Sequence, residues 1–270
     1  MTAATPGTQS RPIDLVQRPS MALLGLEPWR ATYELVRSAL SSTEPVVPPG
    51  DGHRVIVFPG LCSSTWAIAP MIRLCRRLGY DAQDWGRGMN TGPGVDVDAW
   101  LRELAAELRI EQGPAESLTL VGWSLGGLYA REIAKLAPSK VRQVVTIGTP
   151  FNADADYTRV GWLFNLLSGR RIDFDGALVQ RLRTPPPLPT TSIYTRQDGV
   201  VAWQTCTHHK RYPCAEDVEV VSSHLGMGWN PAVMSIVTNR LAQVPGQWRP
   251  YQGAVAAAER MRPAFARQRS

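Results

Sequence analysis

Residues 118–138 constrain the fold of this chain more than any other stretch. A short apolar run, Leu-Thr-Leu-Val, ends in Gly122-Trp123-Ser124-Leu125-Gly126 and turns at once into an amphipathic helical pattern. Glycine on both flanks of so tight a turn lets backbone segments approach closely, and the serine between them is forced to protrude. A hydroxyl held beside a helix N-terminus can be approached by substrate, by a base and by backbone N–H donors together. A G-x-S-x-G pentapeptide also arises by chance, so its meaning rests on what the rest of the chain supplies.

The rest supplies a repeating order. Apolar β-prone runs at 55–58, 80–85, 118–123 and 141–147 alternate with helical patterns at 65–78, 97–112 and 125–137. Such alternation predicts βαβ units, and hence an α/β fold with a mostly parallel central sheet flanked by helices on both faces. Val55-Ile-Val-Phe58 is apolar throughout, as a strand buried on both faces should be. The pattern lapses over about 151–190, where aromatic and leucine residues precede an arginine-rich stretch and Thr-Pro-Pro-Pro-Leu-Pro; a small cap or lid is expected there. Strands resume at 192–195 and 218–221, and a helix is expected near 231–242. The domain reading is therefore an N-terminal extension (1–52) with a helix over 28–40 and a Pro-rich linker, an α/β domain (53–245), and a basic tail (246–270). In the first helix Pro28 is expected in the first turn, with Trp29, Tyr33, Val36 and Leu40 near one face.

Composition narrows the function classes. At 270 residues the chain is long enough for one large α/β domain with a full core. No apolar run approaches the roughly 18–20 residues a membrane span requires, and the N-terminus lacks a basic-then-apolar leader, so the expected location is cytoplasmic. The net charge of +6 is carried almost wholly by arginine, since Lys135, Lys140 and Lys210 are the only lysines. No basic stripe on a recognisable nucleic-acid-binding pattern is present, so no nucleic-acid partner is expected; weak attraction to anionic interfaces or acidic substrates is the lesser consequence. Cys62 and Cys75 read as small buried hydrophobes. Cys206 and Cys214 bracket a polar loop containing His208 and His209; a disulfide, reduced thiols and a metal site all remain open there, although the spacing matches no standard zinc module. A disulfide would argue for a periplasmic or secreted setting.

A nucleophilic serine needs a base, and the base needs an acid to hold its tautomer. Asp198 follows the strand at 192–195, and His224 follows the strand at 218–221, giving the chain order Ser…Asp…His. Asp198-Gly199 is also a common turn dipeptide. His53 precedes the first strand, at the wrong end of the sheet, and His208 and His209 lie between the acid and the last strand; Asp217 is the reserve acid. An oxyanion needs two or more backbone donors. One is expected from Leu125, directly after the serine, and the other from Leu61, in the Pro59-Gly60-Leu61 loop after the first strand.

Taken together, Pro59-Gly60-Leu61, the elbow at 122–127, Thr146-Ile-Gly-Thr-Pro150, Asp198-Gly-Val-Val and Ser223-His-Leu-Gly226 resemble the α/β-hydrolase superfamily, particularly its lipase and esterase branch. The resemblance spans about 53–240. It implies a serine hydrolase cleaving small-molecule or lipid carboxylic esters, with Ser124, Asp198 and His224 catalytic, Leu61 and Leu125 forming the oxyanion hole, and no cofactor or metal. A loop similar to Trp85-Gly-Arg-Gly-Met-Asn-Thr-Gly-Pro93 occurs in some lipase-like members; here Asn90 is expected either to bond backbone near the site or merely to make the turn. Two positions depart from the pattern: Pro59 stands where members often carry His, and Trp123 occupies an elbow position often held by His. Serine at the elbow argues against the dehalogenase and epoxide-hydrolase branches, which place Asp there. A Ser-dependent thioesterase or acyltransferase is the nearer alternative, and a non-catalytic hydrolase-like binder the remote one. Acyl length, leaving group and oligomeric state are open at this level.

Overall fold

The computed structural model describes residues 19–40, 48–93, 96–112, 114, 117–152 and 176–253. Six strands form one sheet in the order β2-β1-β3-β4-β5-β6: β1 (Arg54–Phe58), β2 (Asp81–Asp84), β3 (Leu118–Trp123), β4 (Val141–Ile147), β5 (Thr190–Tyr194) and β6 (Ala215–Glu219). Every neighbouring pair is parallel. The helices are α1 (Met21–Leu40), α2 (Thr65–Arg77), α3 (Val97–Glu107), α4 (Leu125–Leu136), α5 (Gly176–Arg183) and α6 (Pro231–Leu241).

Strand side chains alternate between two cores. Val55 and Val57 of β1 join α2 and α6 on one face, while Ile56 and Phe58 join α3 and α4 on the other. That is why this strand is apolar at every position after the first. Side-chain caps start α3 and α6 among others: Asp96 accepts the Ala99 N–H at 2.8 Å, and Asn230 accepts the Ala232 N–H at 2.8 Å with Pro231 beginning the helix.

Several expected boundaries shift. The helix expected over 97–112 ends at Glu107, because Arg109 turns left-handed (φ 51°) before a short 3-10 turn at Ile110–Gln112. The last strand lies earlier than 218–221: β6 begins where Ala215 pairs with Thr190 and ends at Glu219, the Val220 N–H making one further bond to Tyr194 O at 2.9 Å before the loop. The first helix begins at Met21, not at Pro28. Ser20 Oγ accepts the Ala22 N–H at 3.2 Å there, and Pro28 takes an interior position. Trp29, Tyr33, Val36 and Leu40 do share a face, but it is the solvent face, where they are 76%, 65%, 51% and 80% exposed. The inward face carries Glu27, 2% exposed, with Ala31 and Glu34.

Most of the expected cap, the first part of the linker expected over 44–52 (up to 47), the start of the extension and most of the basic tail lie outside the described residues. Cys206 and Cys214 are not disulfide-bonded: Cys206 is buried and Cys214 exposed. Burial, reinforced by the charge of Asp198, pushes the Cys206 thiol well above its ordinary range. Among the described residues no helix is long and apolar enough to cross a membrane.

Candidate active site

The carboxyl ends of β1, β3, β5 and β6 deliver the expected site residues to one place. Ser124 sits between β3 and α4 at φ 53°, ψ −121°, a region that non-glycine residues seldom occupy. Its N–H donates to Ile147 O at 2.8 Å, and Thr149 Oγ1 donates to its carbonyl at 2.9 Å. Gly126 is needed by close approach: a Cβ there would lie 2.5 Å from Phe58 O and 2.6 Å from Pro59 O. The elbow therefore presses against the loop leaving β1.

His224 meets both partners. Its Nε2 accepts from Ser124 Oγ at 3.1 Å, and its Nδ1 donates to Asp198 Oδ2 at 2.6 Å. His224 and Asp198 are buried and Ser124 is half-buried. The carboxylate on Nδ1 selects the tautomer that leaves Nε2 free to take a proton. Asp198-Gly199 makes a turn, and the same carboxylate also reaches the histidine. Asp198 Oδ1 accepts the N–H groups of Val200 and Val201 at 2.8 and 2.7 Å, building the turn, while Oδ2 faces the histidine.

Burial alone would lower the proton affinity of His224, but the charge of Asp198, its hydrogen bond and the charge of Glu27 outweigh it, so the imidazole stands above its ordinary value. Gly148, in the Thr-Ile-Gly-Thr-Pro stretch, gives the ring room. Its φ is +56°, and a Cβ there would lie 3.2 Å from His224 Nδ1. Trp123 is buried and donates from Nε1 to His224 O at 3.2 Å, so it anchors the histidine loop.

The loop after β1 passes beside the serine, with the position of a Gly60 Cβ 3.3 Å from Ser124 Cβ; Leu61 follows in the same loop. Asn90, fully buried, braces this loop from three sides. Its Nδ2 donates to Pro59 O (2.8 Å), its carbonyl accepts the Cys62 N–H (2.8 Å), and its N–H donates to Ser63 O (2.8 Å). Asn90 takes both of the roles expected for it: it bonds backbone near the site, and its Oδ1 accepts the Gly92 N–H at 3.0 Å in the turn. The N–H of Leu125, as the first helical residue, has no intrahelical acceptor.

The remaining candidates lie elsewhere. His53 bonds Asp51 (2.5 Å) and Thr119 (2.9 Å) at the opposite end of the strands. His208 is held by Asp217 at 2.7 Å, which accounts for the reserve acid as well. Among the described residues no cluster of His, Cys, Asp and Glu could hold a metal.

Sequence reasoning expected the helix but missed what its inward face does. Glu27 and Glu34 on its inward face bond the backbone of the histidine loop, and Glu27 also bonds the loop of Asp198. The only trace in the sequence is a Glu27/Arg30/Glu34 spacing on one helical face.

A family model for the alpha/beta hydrolase fold matches residues 51–184. That range contains Ser124, whereas Asp198, His224 and α1 fall outside it. The chain is 34% identical over 91 residues to the pimeloyl-[acyl-carrier protein] methyl ester esterase of Aromatoleum aromaticum, covering 33% of this chain and 34% of that protein. The match thus spans about a third of that relative's length. Among solved structures the fold is similar to the metagenome-derived lipolytic enzymes LipS and LipT (TM-score 0.52, 17% identity, 74% of this chain and 96% of that one). It is also similar to the thioesterase domain from the curacin biosynthetic pathway (TM-score 0.50, 15% identity, 73% and 92%).

Proposed function

The chain is a member of the α/β-hydrolase superfamily, and on that premise we propose that it is a serine hydrolase cleaving carboxylic esters through an acyl-enzyme on Ser124. The observation that carries this reading is the continuous path from Ser124 Oγ through the His224 imidazole to the Asp198 carboxylate, at 3.1 and 2.6 Å.

In the proposed reaction Ser124 Oγ attacks the ester carbonyl while its proton passes to His224 Nε2. Asp198 holds the imidazole and stabilises the imidazolium without itself taking the proton. The N–H groups of Leu125 and Leu61 are assigned to the developing oxyanion, where preorganised donors are worth about 3–4 kcal/mol each. His224 returns the proton to the departing alcohol, leaving the acyl-enzyme. A water, deprotonated by the same nitrogen, then attacks and releases the acid.

A second reading has specific support. One relative is named for esters on an acyl-carrier protein and one neighbouring fold for thioesters. The same acyl-enzyme could be loaded from a carrier-bound ester or thioester, with water or an alcohol as acceptor.

The test is hydrolysis of p-nitrophenyl esters from acetate to palmitate, with an acyl thioester in parallel, by the parent and Ser124→Ala. Loss of about 10³-fold or more in kcat for Ser124→Ala is the expected result. Inertness of folded parent protein toward esters, thioesters and a serine-directed phosphonate would instead make it a binder.

A further inference from the structure

Glu27 lies outside the residues matched by the family model and is nearly fully buried. Its Oε1 accepts the Gly199 N–H at 2.9 Å and the His224 N–H at 3.1 Å; its Oε2 accepts the Leu225 N–H at 3.0 Å. One carboxylate thus joins the residue after Asp198 to His224 itself. Arg30, 3.7 Å from Glu27, ties the same two loops a second time, donating to Gln197 O at 2.7 Å and Ser222 O at 2.8 Å. At both loops glycine admits the helix. A Cβ on Gly199 would lie 2.6 Å from the backbone C and O of Leu23, and one on Gly226 would lie 2.5 Å from Glu34 Oε2.

We infer that Glu27 is a positioning residue for the active site: it sets the separation of the Asp198 and His224 loops and places a second anion near the imidazole. The inference rests on the serine-hydrolase reading above. β5 and β6 are neighbours, and just past the ladder the Val220 N–H donates to Tyr194 O at 2.9 Å and Thr195 Oγ1 to Ser222 O at 3.1 Å. Neither bond reaches Asp198 or His224, so the distance between those two depends also on what clamps the loops farther out. A buried carboxylate whose oxygens accept backbone N–H groups from both does this with charge-assisted hydrogen bonds, which are shorter and stronger than neutral ones. Glu34 provides the contrast. It accepts from Ser222 Oγ (2.5 Å), the Ser223 N–H (2.6 Å) and Asn230 Nδ2 (2.9 Å), all on the histidine side. Glu34 holds the helix to one loop, whereas Glu27 holds two loops to each other.

The charged groups facing His224 are Asp198 from the loop after β5 and Glu27 from α1, with Arg30 and Glu34 behind them on the same helix. Trp123 and Gly148 on its other sides carry no charge. Both anions favour the imidazolium. Removing the charge of Glu27 therefore moves the acid limb of the rate profile to lower pH, and removing its grip lowers the plateau.

The experiment measures kcat and KM for p-nitrophenyl butyrate against pH in the parent, Glu27→Gln, Glu27→Asp and Glu34→Gln, with rates expressed per site titrated by a fluorophosphonate, and in Ser124→Ala, which has no serine to titrate, per folded molecule. Glu27→Gln is expected to lose about tenfold or more in plateau kcat, since small misplacements of reacting groups cost up to about 10²-fold. Its KM should change little and its acid limb should move down. Glu27→Asp, which keeps the charge on a shorter arm, should lose plateau rate with the limb near the parent's. Glu34→Gln should keep the parent's limb. A Glu27→Gln protein with the parent's plateau and limb per titrated site overturns the inference, whatever its melting temperature. If that variant does not fold, a Glu27→Asp protein with the parent's plateau overturns it instead. A Glu34→Gln profile identical to that of Glu27→Gln also overturns it, because any loosening of α1 would then suffice. An inert parent, or an active Ser124→Ala, removes the serine-hydrolase reading and this inference with it; an active parent with unaltered Glu27 variants removes this inference alone.

Discussion

Ser124 is held in a backbone conformation that costs about 1–3 kcal/mol and persists only because its surroundings over-determine it. The bonds to Ile147 and Thr149 and the close fit at Gly126 do so. His224 has a clear pH consequence. Its proton affinity is raised in the folded protein, so protonated His224 contributes stability below the ordinary histidine range, and that contribution is lost as pH rises through the folded value. Activity runs the other way, because only the neutral ring accepts the proton from Ser124. Asp198→Asn removes the charge and leaves the ring without its orienting acceptor. A kcat loss of about 10³–10⁴ is expected, with an acid limb moved to lower pH, read from kcat/KM profiles. At this scale Ser124, Asp198 and His224 were legible in the sequence, because an elbow motif and two strand-ending positions locate them by chain order. Glu27 was not, since a glutamate on a helix ordinarily reads as solvated surface.

At the scale of elements, α1 reverses the usual rule for an amphipathic helix. Its apolar stripe faces solvent and its carboxylates face the protein. A hydrophobic pattern predicts that a helix exists and which residues share a face. It does not say which face turns inward when the surface beneath offers unpaired backbone N–H groups instead of apolar side chains. The fit is tight enough to test. Gly199→Ala puts a methyl against the backbone of Leu23, and overpacking of this kind costs about 1–3 kcal/mol. A fall in melting temperature of about 3–10 °C is expected from that range, together with reduced turnover. A melting temperature equal to the parent's would show that α1 does not hold the loop this closely. The boundary of β6 was misplaced for a related reason. It is an edge strand, so pairing to β5 sets its ends: it starts at Ala215, and its last bond to β5 is made by the Val220 N–H, with Val221 beyond.

Across the whole molecule the two cores and the site are separate loads on one sheet. The cores fill both faces, and the reacting groups crowd the carboxyl ends of the strands, where loops can converge. Ile133, fully buried on α4 in the second core, bears on the first of these alone. Ile133→Ala should cost about 2–5 kcal/mol, seen as a lower denaturant midpoint, while turnover per titrated site stays near the parent's. A large loss of turnover per folded molecule would show that the core and the site are coupled through α4.

The α/β alternation, the buried strands, the serine elbow and the order in which its candidate partners follow can all be read from the residues in chain order. These are local matters of periodicity, turn chemistry and position relative to strand ends. That the N-terminal helix turns its carboxylates inward onto the two loops that carry Asp198 and His224 emerges only when the chain is folded. It depends on which backbone donors are left unsatisfied where loops from different strands meet. The contacts join residues as far apart as 27 and 224, and no periodicity or motif spacing encodes such a pairing.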